Sequence, residues 1–271
     1  MNLKKFLIVT LSVFAAVMLA GVLPSCAERP ASLPASEPEQ PSGPKFVAHK
    51  GYWPTCVENT EPAFRAAANL CFYGIETDLR KTKDGRIVCW HDATVYFSDG
   101  SEKRIADATL AELLAKPLKN SKNVADAGLC TFETYLQACK AGNKVAVIEL
   151  KDYFNLSEVN NLLEIIDAEY DRAKVTFIAF NYFSLLQVRE ADDTIPLQFL
   201  TQSENDATLT RCLDEGIALD ARYTVLTEET VRAFHAAGLT VNAWTVNDEE
   251  TLLSVTQMGV DYVTTDVFYE E

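Results

Sequence analysis

The residues best able to do chemistry in this chain are His49, Lys50, Glu76, Asp78, His91, Glu149 and Lys151. Glu76 and Asp78 alternate along the apolar segment G-I-E-T-D-L, and Glu149 lies in V-A-V-I-E-L-K. In a strand, residues i and i+2 project from the same face. Glu76 and Asp78 therefore point the same way and, with Glu149, offer oxygen ligands to one hard cation. Three carboxylates suit Ca2+ or Mg2+ and leave positions open for water and substrate. Zinc fits less well, because it favours His and Cys. The histidines suit general acid–base work, since imidazole changes charge near neutral pH. The lysines supply point charges for a phosphate. A strand-end carboxylate taken singly reads as half of a salt bridge. A charge at the end of an apolar strand is costly to bury unless paired or metal-bound, and the recurrence at several strand ends favours a site. Together these groups describe phosphoester chemistry on a small molecule.

The elements that must position them follow a regular alternation. Strands are predicted at Lys45–His49, Tyr73–Leu79, Val145–Lys151, Val175–Phe180, Leu197–Thr201, Ile217–Ala221, Thr240–Val246 and Tyr262–Thr265. Helices are predicted at Thr60–Cys71, Thr131–Ala141, Ser157–Tyr170, Tyr182–Glu190, Glu204–Glu215, Thr227–Ala237 and Asp248–Met258. Gly142, Gly216, Gly238 and Gly259 mark helix ends, where glycine is a common stop. Strands alternating with helices predict a parallel sheet. Eight strands in this length fit an α/β (β/α)8 TIM-type barrel, whose sites lie at the C-terminal ends of the strands. The period alone also allows an open doubly wound sheet. His49, Glu76, Asp78 and Glu149 all fall near such strand ends. The interval of about residues 80–130 is longer than a βα loop needs. It reads as a small insert after the second strand, with an extra strand at Arg86–Trp90 and a short helix at Asp107–Ala115, and it carries His91. Trp244, in V-N-A-W-T-V-N, is placed to face the mouth. His235 reads as a structural histidine at a helix end.

The amino terminus is a separate matter. Lys4 and Lys5 precede an apolar run from Phe6 to Val22, followed by Leu23-Pro24-Ser25-Cys26. A charged start, an apolar run and a small-residue cut describe an export signal over residues 1–25. The terminal cysteine resembles a bacterial lipobox, which predicts a lipid on Cys26 as the membrane contact. Residues 26–44, rich in Pro, Ser, Ala and Glu, lack the apolar residues needed to fold and read as an extended tether. Residues 45–271 form the predicted domain of an exported, membrane-anchored protein, periplasmic or at the cell surface. The chain's formal charge of −15 disfavours nucleic acid, whose binding needs Lys and Arg. No G-x-G-x-x-G or Walker motif occurs, which removes the main support for nucleotide binding. No C-x-x-C pair occurs either. Cys71 and Cys89, in apolar contexts, are expected to be buried free thiols.

At these residues the chain resembles the glycerophosphodiester phosphodiesterase family. The resemblance rests on an ordered set: His49-Lys50-Gly51, Glu58-Asn59-Thr60 with Ala63-Phe64, Glu76-Thr77-Asp78, and Asp84-Gly85 through His91-Asp92. Glu149-Leu150-Lys151, Trp244-Thr245-Val246-Asn247, and Gly259-Val260-Asp261 to Thr265-Asp266 complete it. It implies a (β/α)8 barrel and hydrolysis of glycerophosphodiesters to an alcohol and glycerol 3-phosphate. It places the acid–base pair on His49 and His91, the metal on Glu76, Asp78 and Glu149, and a phosphate contact on Lys151. Two departures stand out. Lys50 replaces an arginine, keeping the charge but losing the planar two-pronged grip, and Cys130 stands where proline is common. Alternatives are a phospholipase-like enzyme acting on another lipid or sugar phosphodiester, and a barrel that binds a phosphate ester without turnover.

Overall fold

The computed structural model describes residues 43–120, 127–203 and 207–269. The expected signal, Cys26, the tether as far as residue 42 and the start of the helix expected from Glu204 lie outside the described residues. In chain order the elements are β1 (Lys45–Ala48), α1 (Glu61–Ala68), β2 (Gly74–Lys81), β3 (Ile87–Cys89), β4 (Thr94–Tyr96), β5 (Glu102–Arg104), α2 (Leu110–Leu114), β6 (Cys130–Thr131), α3 (Phe132–Gly142) and β7 (Val145–Leu150). There follow α4 (Leu156–Glu169), β8 (Val175–Ala179), α5 (Tyr182–Ala191), β9 (Leu197–Thr201), α6 (Thr208–Glu215), β10 (Ala218–Arg222), α7 (Glu228–Ala236), β11 (Val241–Trp244), α8 (Glu249–Met258) and β12 (Tyr262–Thr265).

Strands pair in the order β1-β12-β11-β10-β9-β8-β7-β2, and β1 also pairs with β2, so the ring closes. All of these pairings are parallel. The result is the expected (β/α)8 barrel, and the β1–β2 pairing excludes an open sheet. Strands of such a barrel are covered on both faces and read as continuous apolar runs. Their outward side chains, among them Ile75, Leu79, Ile148, Phe177 and Val263, pack with the helices into the main core. Inside the barrel Val47, Val147, Ile178 and Leu200 form a smaller apolar plug. The polar residues singled out at strand ends lie on this inner side.

The insert begins as expected. β3 turns back antiparallel on β2, pairing Leu79 with Cys89, and β6 pairs with β3. Between β3 and β6 lie the β4–β5 hairpin and α2, which bury Val95, Phe97, Leu113 and Leu118 in a core of their own. Thr109 starts α2 with a capping box to Glu112, which satisfies backbone groups at the helix start.

Two expectations are corrected. Gly142 does not end its helix from outside: it is the last residue of α3, and Asn143 takes the left-handed turn at φ 53°. A Cβ at Gly142 would lie 2.5 Å from the Ala68 carbonyl oxygen, so glycine is needed there for the close approach of α1 and α3. Gly216 and Gly259 do end α6 and α8 as expected. Cys71 is exposed rather than buried, because α1 stops at Ala68 and Cys71 falls in the turn before β2. Cys89 is a buried free thiol, as expected.

Candidate active site

β2 and β7 are neighbours in register, with Asp78 opposite Glu149. The pleat turns Glu76, Asp78 and Glu149 inward together, and one oxygen from each lies within 4.8 Å of the others. All three are buried. Burial, followed by the charges of Asp78 and Glu149, holds the Glu76 carboxyl well above the usual carboxylate range. Burial and Asp78 push Glu149 up to about 7. Burial also opposes charge on Asp78, but Lys151, Lys50 and a hydrogen bond from Asn59 outweigh it and hold that carboxyl down. The Lys151 ammonium sits inside the cluster, 2.9 Å from Glu149 and 3.5 Å from Asp78. Asp78 Oδ1 is buried without a hydrogen-bond partner.

Asn59 explains the E-N-T segment. Its Nδ2 donates to Asp78 Oδ2 at 2.7 Å, and its Oδ1 accepts from Thr77 Oγ1 at 2.8 Å. Lys50, in the left-handed region at φ 56°, donates its backbone N–H to Glu76 Oε2 at 2.7 Å. Gly51 follows at φ 80°, and a Cβ there would lie 2.8 Å from the Ala63 carbonyl carbon, so the turn after β1 fits against α1 only as glycine. The Lys50 ammonium turns to Glu58 at 3.2 Å. Burial opposes its charge, but Asp78, Glu58 and Glu76 outweigh burial and raise its pKa.

His49 lies just past β1. Its Nδ1 is 2.7 Å from Asp266 Oδ1, beyond β12. Burial acts to raise the Asp266 pKa, but His49, Asn247 and Trp53 together hold it low. A carboxylate only accepts, so Nδ1 carries the proton and Nε2 is the free ring nitrogen. Asn247 fixes Asp266 in turn, donating to Oδ2 at 2.6 Å and accepting from the Asp266 backbone N–H at 2.8 Å. His91 comes from the insert. Its Nδ1 pairs with Asp92 at 2.8 Å. Its backbone carbonyl accepts from Arg80 Nε at 2.9 Å and Nη2 at 2.6 Å, while Arg80 Nη1 donates to Asp152 at 2.9 Å.

These groups converge on a pocket of about 240 Å³ at the C-terminal mouth of the barrel. His49, Glu76, His91, Glu149 and Lys151 line one side; Ile178, Phe180, Leu200, Asp220 and Trp244 line the other. Trp244 meets Phe180 edge-on, with ring centroids 5.7 Å apart, and its Nε1 donates to the Asp220 backbone carbonyl at 3.1 Å. Asp78 lies beneath this surface, and Lys50 is not part of the lining. His235 is away from the pocket, paired with Asp261 at 2.9 Å. Asn59, Asn247 and Asp266 fall within the sequence motifs without a role that residue type alone assigns, and Arg80 and Asp220 fall outside those motifs. A pair of acids or amides adjoining the histidine and carboxylate motifs was the available signal for the first three. Arg80 and Asp220 had none.

The sequence profile of the "Glycerophosphoryl diester phosphodiesterase family" matches residues 48–269. A glycerophosphodiester phosphodiesterase of Caldanaerobacter subterraneus subsp. tengcongensis is 28% identical over 227 residues, spanning 81% of this chain and 93% of that one. A crystal structure of a glycerophosphodiester phosphodiesterase from Parabacteroides distasonis superposes with a TM-score of 0.71 at 26% identity, covering 83% of this chain and 93% of its own. An Oleispira antarctica phosphodiesterase, solved with the product sn-glycerol-3-phosphate, shares the fold with a TM-score of 0.74 at 23% identity, over 83% of this chain and 93% of that one. With its match running from the first barrel strand to beyond the last, the chain belongs to the glycerophosphoryl diester phosphodiesterase family.

Proposed function

We propose that the protein cleaves glycerophosphodiesters to an alcohol and sn-glycerol 3-phosphate, using a divalent cation and two histidines. The observation that carries this reading is the pocket that His49, His91, Glu76 and Glu149 line together, with Asp78 clustered beside the two glutamates beneath it. The residues fit such a cation. The donor set is all oxygen, as Ca2+ and Mg2+ prefer. Asp78 Oδ1 is buried with no hydrogen bond, facing only the Lys151 ammonium at 3.5 Å among the ion pairs of the described residues, and two of the three carboxyls have pKa values raised by burial and mutual repulsion. A bound divalent cation supplies positive charge against that which develops on phosphoryl oxygens. The chain's own groups do the rest. One histidine removes the proton of the attacking oxygen while the other protonates the leaving alcohol. Asp266 holds His49 with Nε2 free for this transfer. Lys151 offers charge to the phosphate beside the acids, and Trp244 with Phe180 walls the pocket. Lys50 serves through its backbone hydrogen bond to Glu76; its ammonium reaches substrate only when its pair with Glu58 opens.

Wild-type protein should release glycerol 3-phosphate from glycerophosphoethanolamine, and excess chelator should abolish release. Glu76→Gln should weaken cation binding measured by calorimetry. Full turnover in chelator removes the cation from the reading. No release from any glycerophosphodiester overturns the reading itself. We also infer export and anchoring through a lipid on Cys26, on the strength of the basic start and apolar run that end at this cysteine. Cys26→Ser should leave the precursor uncleaved or release a soluble form. A mature N-terminus found away from Cys26 by mass spectrometry discards the anchor.

A further inference from the structure

Asp220 is the carboxyl in the pocket that the proposed chemistry leaves without a task. It sits on β10, four steps around the ring from β2 in either direction, so it faces Glu76 and Asp78 across the barrel. It is only 1% exposed yet lines the pocket. It is not one of the three acids whose oxygens cluster within 4.8 Å of one another. Its neighbour in register on β11 is Asn242, whose Nδ2 donates to Asp220 Oδ1 at 2.5 Å and to Thr264 Oγ1 at 2.8 Å. With Oδ1 held, Oδ2 is the oxygen left for a ligand. Trp244 binds the Asp220 backbone carbonyl, which ties the carboxyl to the aromatic wall above it.

We propose that Asp220 is a specificity residue, whose carboxyl takes a hydroxyl of a polyol phosphodiester from the wall facing the three acids. The inference rests on the hydrolytic reading above. Its chemistry follows from what surrounds the group. A buried charge is costly unless paired. No ion pair to Asp220 occurs among the described residues, and its side-chain partner there is the neutral Asn242 amide. Burial pushes its pKa up to about 8, with the Asn242 hydrogen bond opposing and Glu149 adding to the rise. Its surroundings thus disfavour charge on the carboxyl, which suits a neutral hydroxyl better than an ammonium, because an ammonium would need the charged form as its partner. A site built around a substrate hydroxyl discriminates against analogues lacking it, because its own buried polar group is then left unpaired. The apolar Ile178, Leu200 and Trp244 flank it; of the polar side chains in the lining, Thr264 already accepts from Asn242 and Gln202 lies past the end of β9.

The test is a ratio of two kcat/KM values, for glycerophosphoglycerol, which carries hydroxyls and no ammonium, and for bis(p-nitrophenyl) phosphate, which has neither. Asp220→Leu removes the polar group while keeping similar bulk, and should lower this ratio about 10- to 100-fold, the usual span for an unpaired buried hydrogen-bonding group. Asp220→Asn restores a donor and an acceptor and should return the ratio to within a few-fold of the parent. If Asp220→Leu does not fold, Asp220→Ala is read in the same way. A parental ratio in Asp220→Leu or Asp220→Ala overturns the assignment, as does a ratio in Asp220→Asn as low as in Asp220→Leu. A parent that hydrolyses no glycerophosphodiester fails at the earlier reading and takes this inference with it.

Discussion

The two histidines reach one pocket by different routes. His49 belongs to the barrel and is held by a residue 217 positions away, with both side chains about a quarter exposed. His91 belongs to the insert and is paired with its immediate neighbour; its side chain is 44% exposed and that of Asp92 is 64% exposed. The Asp266 carboxylate is itself braced by Asn247 and Trp53, so the tautomer and orientation of His49 are set before substrate arrives. His91 is positioned instead through its backbone, by the grip of Arg80 on its carbonyl oxygen. The difference shows that the barrel fixes a ring, whereas the insert fixes a segment of chain and leaves the ring nearer solvent. An exposed charged pair contributes little on its own, so the Arg80 clamp is the stronger determinant of where His91 sits.

Exchange of the aspartates tests this contrast most severely. Asp266→Asn exchanges one of two accepting oxygens for a donating NH2 and removes the negative charge beside His49, and should lower kcat/KM by about 10²-fold, at the low end of acid–base contributions. Asp92→Asn should cost less than about threefold, as expected for an exposed partner. Equal losses measured by steady-state kinetics would erase the distinction between the histidines. Arg80→Ala should come next. It frees the carbonyl of His91 and loosens the insert from β2, and remote misplacement of a catalytic group lowers rates by up to ~10². A loss of about 10-fold, with faster amide exchange around Trp90–Asp92 and parental exchange at Lys45–Ala48, would locate the damage in the insert. Uniform exchange throughout the barrel would show that Arg80 serves general stability instead.

The smallest expected effect is on acid stability. Asp266 has a lowered pKa in the folded protein, while an unfolded aspartate titrates near ~3.9. The folded state therefore holds this proton less tightly than the unfolded chain. The contribution is present above pH ~4 and is lost as pH falls through the folded value. Wild-type protein should melt about 2 °C above Asp266→Asn at pH 7, after allowance for partial exposure, and the gap should narrow below pH ~4. A gap that widens on acidification would contradict the assignment of a braced carboxylate.

Much of the barrel was legible because parallel strands covered on both faces must be apolar nearly throughout. Against that background Glu76, Asp78 and Glu149 stood out, and their positions at strand ends followed from the period-2 pleat. Boundaries were less legible. The helix expected to reach Cys71 stops at Ala68, and Asn143 rather than Gly142 turns the chain, because the contact between α1 and α3 claims the glycine. Lys50 makes contacts that residue type alone did not show: the backbone at φ 56° directs its N–H to Glu76, and its ammonium meets Glu58.

The sequence by itself determined the alternation of strands and helices, the insert, the inward alignment of Glu76 with Asp78, and the supply of imidazoles and lysines. These are local properties, set by side-chain period, turn residues and composition. Only the tertiary structure decided that Asp266 braces His49, that Arg80 holds the insert through a carbonyl, and that Asp220 faces the acids from across the ring. Closing β1 onto both β2 and β12 brings the two ends of the domain together. Contacts made that way depend on ring order and register, and no spacing along the chain encodes them.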